Sequence, residues 1–258
     1  MRHQSDIKIA IKNKIIGGPE LLVCVPLLAA EKSDLFREAA TIKRLDPDLL
    51  EWRIDGYAHA QDINDSLDTL AELRIQFSDT PLIFTCRIYS EGGLKKLTSD
   101  QRQRLLTAAI ASGNLDIVDI ELCNDADFVQ SILETARNSN VQVILSYHNF
   151  EMTPDETFIF DTLFKARDLG ADIAKVAVMP KGHQDVLTLL SATLKARKQG
   201  LKIPAITMSM GPQGRLSRLA GGLFGSDITF AGGNTPSAPG QIPVERLRQG
   251  MAILYDVF

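Results

Sequence analysis

The stretch Ile173-Ala174-Lys175-Val176-Ala177-Val178-Met179 sets one lysine in the middle of an apolar run. A run this short and rich in β-branched residues reads as a buried strand. Side chains alternate across a strand, so Ala174, Val176 and Val178 share one face and Ile173, Lys175, Ala177 and Met179 the other. Seven similar runs occur at Leu21–Pro26, Leu49–Ile54, Leu82–Arg87, Asp116–Glu121, Val141–Ser146, Ile203–Ser209 and Asp227–Phe230. Between them lie helix-like segments at Ile63–Phe77, Ser99–Ala111, Ala126–Asn138, Thr157–Leu169, Asp185–Gln199 and Gln213–Leu223, with a last one at Val244–Tyr255. Strand–helix alternation implies right-handed crossovers and a parallel sheet. Eight such strands in 258 residues predict an α/β fold, a closed (β/α)8 or TIM barrel. An open doubly wound sheet is the alternative, but no Gly-x-Gly-x-x-Gly follows the first strand.

Residues 1–20 break the alternation. Ile7-Lys8-Ile9-Ala10-Ile11 alternates with period two, and Lys12-Asn13-Lys14 turns the chain into Ile15-Ile16-Gly17-Gly18. This predicts a β-hairpin that plugs the bottom of the barrel, opposite the end where βα loops build active sites. The expected layout is one domain over 1–258, with the hairpin in 1–20 and the barrel in 21–258.

Composition narrows the function. The 45% hydrophobic and 23% charged content is that of a globular chain and excludes disorder, collagen and coiled coil. No apolar run approaches the ~18–20 residues of a membrane span, and Met1-Arg2-His3-Gln4-Ser5-Asp6 has no signal-peptide core. Three widely spaced cysteines indicate neither a disulfide framework nor a zinc ribbon. The net charge of −4 argues against a nucleic-acid partner. A cytoplasmic setting is expected.

Strand parity concentrates the chemistry. Leu50, Trp52 and Ile54 leave Glu51 and Arg53 on the opposite face; Phe84, Cys86 and Ile88 leave Thr85 and Arg87; Val118, Ile120 and Leu122 leave Asp119 and Glu121. Ser146 and His148 share a parity at the end of the fifth barrel strand. Taken singly, each has a plain explanation. A strand lysine is usually at an edge, Glu51 with Arg53 reads as an ion pair, and Asp119 with Glu121 reads as interior polar filler. Convergence on at least five strands favours use, because an unpaired buried charge is costly. His3, His59 and His183 sit in polar or loop contexts and read as structural.

A lysine amine is nucleophilic only when neutral. A dry interior with Arg53 and Arg87 nearby would favour that form and suit a Schiff base at Lys175. His148 can move protons beside an iminium, Glu91 in the loop after the third strand can orient it, and the arginines suggest an anionic substrate. No metal-ligand spacing and no cofactor motif is present, so the iminium would serve as the electron sink.

These residues resemble type I 3-dehydroquinate dehydratases. The similarity is carried by Asp48-Leu49-Leu50-Glu51-Trp52-Arg53-Ile54-Asp55, Phe84-Thr85-Cys86-Arg87 with Glu91-Gly92-Gly93, and Asp119-Ile120-Glu121-Leu122. It continues in Val143-Ile144-Leu145-Ser146-Tyr147-His148-Asn149, Ala174-Lys175-Val176-Ala177, Ser217-Arg218-Leu219-Ala220-Gly221 and Ser237-Ala238-Pro239-Gly240-Gln241. The resemblance implies a usually dimeric barrel that dehydrates 3-dehydroquinate to 3-dehydroshikimate in the shikimate pathway. It implies an imine at Lys175, proton transfer by His148 with Glu91 as its partner, and substrate binding by Glu51, Arg53, Arg87, Arg218, Ser237 and Gln241. Pro26 stands where some members have a serine, which removes a peripheral hydroxyl contact.

Two rivals stay open on the residues alone. A class I aldolase-type barrel also uses a strand lysine, and Gly211-Pro212-Gln213-Gly214 resembles a phosphate loop. A non-enzymatic barrel with an idle site is the other. Residues Ala231–Ile242, rich in glycine and proline, exclude a helix and read as a lid over the mouth of the barrel.

Overall fold

The computed structural model describes residues 2–233 and 238–255. A short antiparallel hairpin, β1 (Ile9–Ile11) and β2 (Lys14–Ile16), precedes eight parallel strands. These are β3 (Leu22–Leu27), β4 (Leu49–Arg53), β5 (Leu82–Thr85), β6 (Ile117–Glu121), β7 (Gln142–Asn149), β8 (Ile173–Val178), β9 (Ala205–Ser209) and β10 (Ile228–Phe230). Helices α1 (Lys32–Arg44), α2 (Ile63–Gln76), α3 (Ser99–Ala111), α4 (Ala126–Asn138), α5 (Glu156–Asp168), α6 (His183–Lys198), α7 (Arg215–Phe224) and α8 (Val244–Tyr255) follow the strands in turn. The order β10-β3-β4-β5-β6-β7-β8-β9 is that of a TIM barrel. Buried side chains close the β9–β10 seam: Ala205 N donates to Asp227 Oδ2 (2.8 Å) and Thr207 N to Ser226 Oγ (3.1 Å).

The expected elements are present, with differences at their ends. The run Leu82–Arg87 stays in strand only to Thr85, which frees Arg87 for the rim. The fifth run extends to Asn149, so His148 lies on the strand itself. Helix α1 has no counterpart among the expected segments, although Leu35, Ala39 and Ile42 bury one face at helical spacing, with Asp34 in the first turn and Lys43 and Arg44 in the last.

Strand parity is realised as layers. Leu22, Leu49, Ile83, Ile117, Ile144, Ile173, Ile206 and Ile228, one from each barrel strand, form an apolar floor together with Ile16 of the hairpin. Ile9 and Ile11 pack beneath, so the hairpin is the expected plug. Outward residues such as Val25, Leu50, Trp52, Phe84, Ile120 and Val176 pack against the helices. Each buried Leu or Ile is worth roughly 1.5–3 kcal/mol, and most of that burial lies in the layer between the strands and the helices, with the floor adding to it. Two residues further along the strands the interior changes character. Glu51, Thr85, Asp119, Ser146 and Lys175 replace the aliphatics, and all five are buried.

Candidate active site

Register brings the polar layer together. Glu121 pairs with Ser146, and Ser146 pairs with Lys175 on the next strand. Lys175 Nζ lies 2.6 Å from Asp119 Oδ2 and 3.9 Å from Glu51 Oε1, and 4.7 Å from the centre of the Phe230 ring. Arg87 Nη2 reaches the same Asp119 oxygen at 2.9 Å, while its Nη1 donates to Glu121 Oε1 and Ser146 Oγ, both at 2.8 Å. Burial pushes the Asp119 carboxyl up, but Arg87 and Lys175 outweigh it and hold the group well below the usual carboxylate range. Asp119 and Glu121 are therefore not filler. They anchor the amine and a guanidinium, and only the meeting of separate strands reveals it.

Arg53 and Arg87 do not act on Lys175 as bare cations. Arg53 grips Asp55 with two bonds of 2.8 Å, and Arg87 is shared between Asp119 and Glu121. The plain alternative of a Glu51–Arg53 ion pair is not what forms: Arg53 pairs with Asp55, and Glu51 accepts from Thr85 Oγ1 at 2.8 Å. Burial raises the Asp55 carboxyl, but Arg53 and the Leu94 and Arg87 amides more than offset it, leaving the group below its ordinary range.

A short helical turn, Tyr89–Glu91, presents Glu91 to His148. Glu91 Oε2 accepts from the His148 backbone N at 2.8 Å and lies 3.1 Å from its Nδ1. The following glycines are required by close approach. A Cβ on Gly92 (φ +84°) would meet the Phe150 ring at 2.4 Å, and one on Gly93 would meet Arg87 O at 2.2 Å. Burial, with Arg87 and Lys175 nearby, pushes the His148 ring well below its ordinary value, so the imidazole is neutral and free to act as a base. Burial also pushes Glu91 up to about 7.

Arg218 on α7 is buried, and its guanidinium donates to the Phe230 carbonyl (3.1 Å) and the Pro239 carbonyl (3.2 Å). Its Nε has no partner, and no described carboxylate pairs with it. Burial alone lowers it to about 10. Such a guanidinium keeps donors that are suited to a carboxylate. The segment Pro239–Gln241 folds over it, with Gly211 N donating to Pro239 O at 3.0 Å. That contact occupies the first amide of the sequence that resembled a phosphate loop.

One pocket collects the set: Glu51, Arg53, Arg87, His148, Lys175, Arg218 and Gln241 all line it, with Glu91 directly behind His148. Pro26 is buried at the register position beside Glu51 and does not line the pocket. Ser237, and with it residues 234–237 of the expected lid, lies outside the described residues. Of that segment, Ala238 and Gln241 line the pocket.

The type I 3-dehydroquinase family model matches residues 23–257. The chain belongs to the type I 3-dehydroquinase family. Membership makes it a hydro-lyase. A 3-dehydroquinate dehydratase from Geobacillus thermodenitrificans is 42% identical over 247 residues, covering 95% of each chain. One from Klebsiella pneumoniae is 40% identical over 95% of this chain and 98% of its own. Among solved structures, the Geobacillus kaustophilus 3-dehydroquinate dehydratase superposes with a TM-score of 0.95 at 41% identity, covering 98% of both chains. A type I enzyme from Clostridium difficile, solved with covalently modified comenic acid, gives 0.93 at 37%, covering 97% of this chain and 98% of its own. A 3-hexulose-6-phosphate synthase, 16% identical with a TM-score of 0.60, shares the barrel alone.

Proposed function

We propose that the chain dehydrates 3-dehydroquinate to 3-dehydroshikimate by syn elimination through a Schiff base on Lys175. The observation that carries this reading is that Lys175, a neutral His148 and Arg218, which pairs with no carboxylate among the described residues, open into one pocket. Arg218 takes the substrate carboxylate, and Arg53, Glu51, Arg87, Ser237 and Gln241 take its other polar groups. Lys175 Nζ adds as the free amine to the C3 ketone, and the carbinolamine takes up one proton as its hydroxyl leaves as water, giving an iminium. His148 Nε2 removes a C2 proton while Glu91 fixes Nδ1, and the C–H electron pair moves into an enamine. The enamine then expels the C1 hydroxyl, which leaves as water with the proton His148 carries. One base serving both steps makes the elimination syn. Hydrolysis of the conjugated iminium releases the enone and one proton and returns the Lys175 amine.

The covalently modified ligand in the Clostridium difficile relative agrees with a nucleophile in this family's pocket. The test is direct: 3-dehydroquinate added to the protein should give the ultraviolet absorbance of a conjugated enone, and no absorbance change would refute the assignment. The reading also places the protein in the cytoplasm as a homodimer, and sedimentation at a monomer's mass would refute the second point.

A further inference from the structure

Five side chains of alternating charge run from the helical layer to the reacting amine. Arg102 on α3 is 1% exposed and does not line the pocket. Its Nη2 donates to Glu121 Oε2, its Nη1 to Asn124 Oδ1 at 2.6 Å and its Nε to the Cys86 carbonyl at 3.1 Å. Glu121 is fully buried. Its other oxygen holds Arg87 at 2.8 Å and the Ile88 amide at 3.0 Å, and Asn124 Nδ2 adds 3.1 Å to the first. Arg87 in turn shares Asp119 Oδ2 with Lys175. The sequence runs plus, minus, plus, minus, plus, and each member is fixed by the next.

The geometry points to Arg102 as a positioning residue for Lys175: it sets the place and protonation of the amine through Glu121, Arg87 and Asp119, without reaching the substrate. With Arg102 present, Glu121 is balanced from both sides, and Arg87 can hold Asp119 as well. Without it, the buried Glu121 has Arg87 as its sole cation among the described residues, Arg87 is drawn toward Glu121, and Asp119 is left to Lys175. The uncompensated negative charge favours the ammonium over the nucleophilic amine. The groups facing Lys175 are Asp119 on β6, Glu51 on β4, Arg87 beyond β5, His148 on β7 and Cys24 on β3, with the Phe230 ring on β10. Added negative potential also favours protonated His148, so both effects move the acid limb of the rate the same way.

The inference rests on the Schiff-base reading, and the test separates the two. 3-Dehydroshikimate and sodium borohydride are added to the full chain, and the rate of covalent labelling at Lys175 is followed against pH. If the unaltered protein is not labelled at Lys175, the Schiff-base reading fails. If it is labelled, Arg102→Gln should move the acid limb of labelling upward by roughly half a pH unit, a threefold loss on that limb. Arg102→Lys should recover part of the shift. The kcat for 3-dehydroquinate should fall more than KM rises, because the Arg218 clamp is untouched. Near-ultraviolet circular dichroism checks that each variant folds. Should Arg102→Gln not fold, Asn124→Ala, which removes the other side-chain donor to Glu121 Oε2, should shift the limb the same way by less. A folded variant of either kind with an unshifted labelling profile would overturn the assignment.

Discussion

Lys175 supplies the electrophile and His148 moves the protons, so the two should fail differently. His148→Ala should lose kcat by orders of magnitude yet still form a trappable imine, whereas Lys175→Ala should lose both; turnover near that of the unaltered protein in His148→Ala would contradict this division. At Arg218 the fork geometry matters. A lysine cannot hold the Phe230 and Pro239 carbonyls and still offer a carboxylate two parallel bonds. Arg218→Lys should weaken substrate binding by roughly 1.5–3 kcal/mol, read in KM. Glu91 makes a prediction about stability. Its value rises from an ordinary 4.5 to about 7 in the fold, so its contribution is present below 4.5 and is lost as the pH climbs to 7. Above that, ionised Glu91 costs the fold on the order of 3 kcal/mol. Glu91→Gln should therefore gain in Tm over the unaltered protein as pH rises from 5 to 8, while losing activity. A Tm difference that does not change with pH would show that burial of Glu91 carries no such cost.

At the scale of elements, α7 is tied to β9 by Gly214. A Cβ there would meet Ser209 O at 2.1 Å and Met210 O at 2.3 Å, and Ser217 Oγ accepts from Ser209 N at 2.8 Å. Gly214→Ala should push α7 off β9 and carry Arg218 with it, raising KM and costing roughly 1–3 kcal/mol. Unaltered KM and Tm would mean that the helix start can yield. The legibility of the chain also divides by element. Period-two alternation identified the inward groups on β4, β6, β7 and β8, because parity is a local property of a strand. What parity cannot show is who meets whom. Asp119 reads as filler because its partners, Arg87 and Lys175, come from elsewhere in the chain, and parity alone does not show that the turn after β4 hands Arg53 an Asp55 partner. Arg102 gave no signal, since an arginine in an amphipathic helix ordinarily faces solvent. Helix α1 was legible in principle, but its apolar stripe of Leu35, Ala39 and Ile42 is thin among charged residues.

For the whole molecule, the two ends of the barrel are divided between stability and chemistry. Ile16, fully buried, seals the aliphatic floor at the end away from the pocket. Ile16→Ala should lower stability by roughly 2–5 kcal/mol in urea unfolding while leaving kcat at 25 °C close to that of the unaltered protein. A matching loss of kcat in the folded protein would show that the floor and the polar layer are coupled. The central claim concerns the other end, where Lys175 is to become the electron sink. Its most direct measurement is mass spectrometry after treating the protein with 3-dehydroshikimate and borohydride. The account requires one reduced adduct, on the peptide containing Lys175, together with loss of activity. An adduct on a different lysine, or full activity with no adduct, would contradict it.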